Sequence, residues 1–389
     1  MQGSLLKQIN IMSLLLCSLL ASANLDASDL PLNIEEKRLT KILEVSETSV
    51  DEQLIVSLIS ELKKLKVYEE AKLALLNAGN QLWQKTKQDV KSKTRFDDRP
   101  LYWQRLAIKA AVKQAELQFS NTEVSALLEV FEQASRGYFN IDYIQNAHKQ
   151  IFITGFDPFL LDKNIQQSNP SGLAALSLDG KVIEYQGAKA ELKAVIVPVR
   201  YEDFDRGEIE SLLAPIYLGG IVDMVTTISM GREHFDLERF PGKRRSVTTP
   251  DNLNVLTGAN KSNPIIALLA GEKLTGEEFV EFSLPVTAMQ KATGQYKVID
   301  NHKVESLEKG EMTPKSIKEL AGLTAVTGGG GGYLSNEISY RSIRLSKQLD
   351  RNIPTGHIHT PRIKGFNQTA NEAIVSQIEE MLRYAIAEI

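Results

Sequence analysis

The stretch 326-VTGGGGGYLSNEISYR-341 decides how the chain is read. A short apolar run enters five glycines, Gly328 to Gly332, and leaves into a segment with helical periodicity near Ser335. A strand, a tight glycine turn and a helix start together make a place to hold an anion or a nucleophile. The first N–H groups of a helix are unpaired and sit at the positive end of its dipole. Ser335 then has two readings, an attacking hydroxyl or a helix-capping serine.

Outward from this stretch, short apolar runs alternate with helical segments from Gln150 onward. The runs are Ile151–Thr154, Ala194–Val199, Val222–Ser229, Leu323–Thr327 and His357–Thr360. Helical patterns lie near Glu208–Leu218, Val280–Thr293, Asn336–Leu349 and Asn371–Ile389. Strands separated by helices predict a three-layer α/β/α domain with a mostly parallel central sheet over 150–389. Sites in such sheets lie beyond the carboxyl ends of the strands. The polar clusters of the chain fall there: after Thr154, after Ser229, after Thr327 and around His359. Asn252–Gly276 and Lys297–Glu319 read as polar, charged excursions.

Residues 24–149 are different. Leu54, Ile55, Leu58, Ile59, Leu62 and Leu65 share one face at the helical period. Ser120 to Glu123 has the form of a capping box ahead of Val124–Phe131. Glycine and proline are scarce, so a helical N-terminal domain or extension is expected, with Trp83, Tyr102 and Trp103 as core or interface aromatics.

The 389 residues are 42% hydrophobic and 24% charged, with a net charge of −4. That balance points to no nucleic-acid or anionic-membrane partner. Residues 1–23 carry a basic residue (Lys7), the apolar run 11-IMSLLLCSLL-20 and then Ala21-Ser22-Ala23. This is the pattern of a signal peptide cleaved near Ala23, giving an exported, periplasmic or secreted protein with no integral membrane span in the mature chain. Cleavage would remove Cys17, the one cysteine. Disulfides, thiolate chemistry and sulfur-ligated metal are then excluded, and the five histidines have no zinc-binding spacing. No cofactor is expected.

Four clusters could carry chemistry: 154-TGFDPF-159 with Asn169-Pro170-Ser171, 231-GREHFDLER-239, the glycine run with Ser335, and 356-GHIHTP-361. A serine attacks at neutral pH only with a base to take its proton and a third group to orient that base. Ser335, His359 and Glu238 supply those three types from three strand ends. Each cluster also has a plainer reading: loop aromatics on the core, a solvated charged loop, a helix cap, a pair of strand histidines.

From Gln150 to about Phe366 the chain resembles the pyroglutamyl peptidase I (pyrrolidone-carboxylate peptidase) family. The resemblance is carried by Thr154–Phe159 (TGFxPF), Asn169–Ser171 (NPS), Gly231–Arg239 (GRxxIxxER), Pro250–Asn252 (PDN), Tyr333–Tyr340 (TFVCN…Y) and Gly356–Pro361 (GFIHVP). It implies an omega peptidase, a hydrolase removing an N-terminal pyroglutamyl or similar blocked residue from peptides. Ser335 would be the nucleophile, His359 the base and Glu238 the orienting carboxylate. Phe156, Phe159, Leu334 and Arg232 would contact substrate, and the resemblance leaves room for an oligomer. The chain departs from the family where Ser335 replaces the nucleophilic cysteine, Glu337 the usual histidine, and Ile228–Met230 and Phe240–Lys243 the usual pocket sequences. A free thiol ionises near pH 8.5, whereas a hydroxyl must lose its proton during attack. The alternative is a catalytically impaired pseudoenzyme that kept the pocket to bind a small acyl amide or peptide.

Overall fold

The computed structural model describes residues 30–45, 50–143 and 148–389. The expected signal segment, 1–23, lies outside them. The chain forms two compact units, one reaching to Thr86 and including Arg99–Asn140, the other made of Lys87–Asp98 and Ile141–Ile389.

The first unit is helical: α1 (Ile34–Lys37), α2 (Leu39–Val45), α3 (Glu52–Leu62), most of α4 (Tyr68–Lys91), α5 (Arg99–Gln114) and α6 (Asn121–Ser135). On α3 the apolar stripe buries Ile55, Leu58 and Leu62. The capping box starts α6: Ser120 Oγ accepts from the Glu123 N–H, and Glu123 Oε2 accepts from the Ser120 N–H. Trp83, Tyr102 and Trp103 are fully buried. Gly137 is required against Trp83, since a Cβ there would lie 2.7 Å from the indole.

The second unit holds a seven-stranded sheet. Its strands are β1 (Lys149–Phe156), β2 (Val182–Tyr185), β3 (Ala188–Val197), β4 (Met224–Met230), β5 (Phe235–Glu238), β10 (Val298–Asn301) and β14 (Thr355–Thr360), in the order β10-β5-β14-β4-β1-β3-β2. The pairs β1–β3, β1–β4, β4–β14 and β5–β10 are parallel; β5–β14 and β2–β3 are antiparallel. The α/β expectation of a mostly parallel sheet therefore holds. Central strand β4 and all but the first two residues of β1 are buried on both faces, as parallel strands covered by helices must be. The flanking helices are α7 (Pro170–Leu178), α8 (Tyr201–Arg206), α9 (Glu208–Gly219), α10 (Val286–Met289), α11 (Leu334–Gln348) and α12 (Gln368–Ala385); α7 packs on α12 and α9 on α11.

Three local expectations are corrected. The run before the glycines is not a strand of this sheet. As β13 (Ala325–Thr327) it joins β11 (Val304–Ser306) and β12 (Gly310–Met312) in a separate three-stranded sheet. The charged excursion is thus ordered, because Val304, Leu320, Leu323 and Ala325 bury a small core with Phe240 and Phe279. Helix is found only over Val286–Met289 of the expected 280–293, since Pro285 stands just before it and denies any earlier turn an N–H donor. The 252–276 region contributes β7 (Ile265–Ile266), which pairs with β6 (Arg244–Arg245) upstream of it, and the ribbon of β8 (Leu268–Leu269) with β9 (Glu272–Lys273).

Candidate active site

Sheet register brings Glu238 and His359 together. His359 on β14 lies opposite Ser229 of β4 on one side and Asp236 of β5 on the other. Glu238 is two residues beyond Asp236, so its side chain emerges on the same face as that of Asp236. Glu238 Oε1 meets His359 Nδ1 at 2.5 Å. The carboxylate has no solvent exposure and the imidazole only 4%. A buried carboxylate on Nδ1 fixes the tautomer with Nε2 unprotonated, which is what a general base needs.

Two glycines let the pair close. A Cβ on Gly231 would lie 2.6 Å from His359 Cβ, and one on Gly329 would lie 2.5 Å from Glu238 Oε2. Arg232, expected to contact substrate, instead pairs with Asp236 at 3.1 Å, reaches Gly329 O at 3.3 Å and approaches Glu238 Oε1 at 3.9 Å. Burial, then the charge of Glu238, push the Asp236 carboxyl upward; Arg232 and His359 oppose them. Glu238 also accepts a hydrogen bond from Asn301 Nδ2 at 2.7 Å. Asn301 belongs to the excursion and no motif pointed to it.

A second imidazole lies under the first. His357 is fully buried and meets His359 edge to face, 4.8 Å between centroids. Thr227 Oγ1 and Ser229 Oγ each lie 2.7 Å from one of its ring nitrogens. Burial, and secondarily the neighbouring His359, hold its pKa well below the usual imidazole value, so it is a neutral hydrogen-bonding part of the core.

Ser335 lies elsewhere than expected. The capping position of α11 is Tyr333, which makes no side-chain cap, and Ser335 is the second helical residue. The helix-cap reading of Ser335 is therefore corrected. Its hydroxyl donates to Gly330 O at 3.2 Å, and not to His359. It lines an apolar cleft of about 280 Å³, open mouth included, whose walls include Phe156, Phe159, Leu334, Tyr333, Val199 and Met230, with Ser229 on its border. Three of the expected substrate contacts, Phe156, Phe159 and Leu334, thus line one cleft with Ser335, while Arg232 does not. Neither Glu238 nor His359 lines it.

Buried polar bonds tie together the loops around the cleft. Asn169 starts α7, accepts from Ser171 N and Oγ, and donates to Asp157 O at 2.9 Å. Asp98 receives Asn169 N at 2.8 Å and Ser168 Oγ at 2.5 Å. Asn252 donates to Pro158 O at 2.9 Å, tying the Phe156–Phe159 loop from the other side. Phe159 stacks on Tyr333 at 6.4 Å, and Tyr333 meets Tyr201 edge to face at 5.6 Å.

The glycine run is packed rather than loose. Among its five residues only Gly331 has a left-handed φ, +87°. The N–H groups of Gly328, Gly329 and Gly331 are already bonded to Gly331 O, Phe240 O and Gly328 O. Asn336 locks the turn by donating to Gly242 O at 2.7 Å and accepting from its N–H at 2.9 Å. Donors for an oxyanion are then to be sought among the N–H groups of Gly330, Gly332 and the first turn of α11.

Glu337 is a structural charge. It is buried and bonded to Arg245 at 2.7 and 2.9 Å and to Arg341 at 2.9 Å. Arg245 continues to Asp205, and Arg341 to Glu210, both at 2.8 Å. Burial alone would raise the Glu337 carboxyl, but the two guanidinium groups outweigh it and hold it below the usual carboxylate range. Among the described residues, no group of three His, Cys, Asp or Glu side chains is arranged to hold a metal ion.

A family model described as the C-terminal domain of PA0049 matches residues 150–282 and 294–364, just over half of the chain, and one for the PA0049 N-terminal domain matches 21–132. The uncharacterised protein PA0049 of Pseudomonas aeruginosa is 27% identical over 69% of this chain. The match spans 64% of that relative's length. Among solved structures, pyrrolidone carboxyl peptidase of the hyperthermophile Pyrococcus furiosus, including its cysteine-free mutant, is 18% identical, covers 61% of this chain and 99% of its own, and has a TM-score of 0.43.

Proposed function

The chain belongs to the PA0049 family, and from its site we propose that it is a hydrolase using a Ser335–His359–Glu238 triad on small acyl amides. The observation that carries this is the buried 2.5 Å Glu238–His359 bond, built at strand ends, with Ser229, opposite His359 in the sheet register, lining the cleft that holds the Ser335 hydroxyl. A solvated charged loop or an incidental strand histidine would not be sealed this way. In the proposed cycle Ser335 Oγ attacks the substrate carbonyl and His359 Nε2 takes its proton. Glu238 stabilises the imidazolium, and His359 returns the proton to the leaving amine. Water then repeats the sequence to release the acid.

The hydroxyl must first leave Gly330 O. A neutral hydrogen bond of that kind is worth about 1 kcal/mol net, so leaving the observed rotamer costs roughly a factor of 5. Catalytic hydrogen bonds commonly tighten only with substrate present. The motif resemblance supplies the substrate class, an N-terminal pyroglutamyl or similarly blocked residue whose ring would sit between Phe156, Phe159 and Leu334. We also propose export through the segment ending near Ala23, on the pattern of residues 1–23 alone.

One observation favours the binding-only alternative: Ser335 bonds to Gly330 and not to His359. The two are separated by a pyroglutamyl reporter amide. Hydrolysis that falls roughly 10³-fold or more in both Ser335→Ala and His359→Ala supports the triad. Saturable binding without turnover, unchanged in Ser335→Ala, supports the binding protein and removes the hydrolase.

A further inference from the structure

Glu238 has two carboxylate oxygens, and the triad uses one. The other, Oε2, accepts from Asn301 Nδ2 at 2.7 Å, and the same nitrogen reaches Gly329 O at 3.3 Å. The amide cannot be turned round, because its Oδ1 accepts from the Lys303 N–H at 3.1 Å. Its NH₂ end therefore faces the carboxylate. The strand that carries it is also pinned. Asn301 stands opposite Glu238 in the β10–β5 register, and the neighbouring Arg239 grips Asp300 through two bonds of 2.7 and 2.9 Å.

We propose that Asn301 is a positioning residue for this site, fixing the Glu238 carboxylate and through it the plane of the His359 ring; the proposal rests on the hydrolase reading above. The terminal torsion of a glutamate is broad, so one hydrogen bond leaves the carboxylate free to swivel. A second bond on the other oxygen removes that freedom. The donor is neutral, which matters. A cation in contact with Oε2 would claim the negative charge that must stabilise the His359 imidazolium during reaction. The nearest guanidinium, that of Arg232, is engaged by Asp236 and approaches no closer than 3.9 Å.

The test uses two variants of the full chain. Asn301→Ala deletes the donor. Asn301→Asp keeps the shape and the Lys303 contact but presents an acceptor. Kinetics on the reporter amide are read beside the proton NMR resonance of His359 Nδ1–H in substrate-free protein, which a short bond to a carboxylate moves downfield. Both variants should lower kcat by about 10- to 100-fold, as loss of a group orienting a site ligand does, with KM little changed. In both the resonance should broaden or vanish, while at least one keeps the wild-type unfolding midpoint. An unchanged resonance in both, or a loss of activity confined to KM, overturns the proposal. A wild type that turns over no amide removes the hydrolase reading alone, since the resonance in substrate-free protein still decides what Asn301 does.

Discussion

The two halves of the site are built by opposite means. The acid–base half is made of sheet: β5, β10 and β14 set Glu238, Asn301 and His359 by register, and Gly231 and Gly329 allow the close approach. Its hydrogen bonds are already made. The nucleophile half is made of a turn and a helix start, held from behind by the Asp205–Arg245–Glu337–Arg341–Glu210 charge network and from above by Phe159, Tyr333 and Tyr201. Its proposed nucleophile, Ser335, still donates to Gly330 O. The lesson is that strand register can preorganise a pair of side chains without any substrate, whereas a first-turn serine keeps rotamers to choose from.

The comparison breaks most readily at Glu337. Glu337→Ala leaves Arg245 and Arg341 buried without their shared partner, and breaking such a pair by deleting one side costs about 3–5 kcal/mol. The loss should appear in chemical denaturation. A cost under about 1 kcal/mol would mean that the network does not anchor α11.

Gly329→Ala comes next and attacks the seam between the halves. The new methyl would sit 2.5 Å from Glu238 Oε2 and 3.3 Å from Glu238 Cα. Overpacking of that kind costs about 1–3 kcal/mol, and here it displaces the carboxylate. Turnover should fall by more than the stability loss alone explains, measured at a temperature where the variant is fully folded. Unaltered kcat would show that the pair tolerates more slack than its packing suggests.

Smallest is a pH effect from His357. Its folded pKa lies below the unfolded value of about 6.5. The stability it contributes is therefore present above that pH and lost as pH falls toward the folded pKa. The difference in unfolding free energy between wild type and His357→Phe should change below pH ~6.5 with a slope approaching ~1.4 kcal/mol per pH unit, the value for one proton. A difference independent of pH would mean that His357 is protonated in the native protein.

The same division governs what the sequence revealed. Alternating apolar runs made the α/β class legible and put four polar clusters beyond strand ends; the choice of Ser335, His359 and Glu238 within those clusters came from the motif resemblance. Asn301 was legible from neither. It sits in a charged segment whose order comes from burying Val304, Leu320 and Leu323 against Phe240 and Phe279, contacts remote in sequence. Asp98 was hidden likewise, since its bond to Asn169 spans 71 residues. The pairing of Arg232 with Asp236, four residues on, was also not legible, since composition cannot tell which partner a charge will meet. The helix start was placed slightly late: the serine resembles a cap, but Asn336 locking Gly242 draws the first turn back to Leu334.

The central claim is that His359, held by Glu238, activates Ser335. A fluorophosphonate carrying a small apolar group reports this directly, because it marks only a serine whose proton a base removes. Mass spectrometry should find the adduct on Ser335 in the wild type and none in His359→Ala. Absence of the adduct from the wild type, or equal labelling in both proteins, would contradict the account.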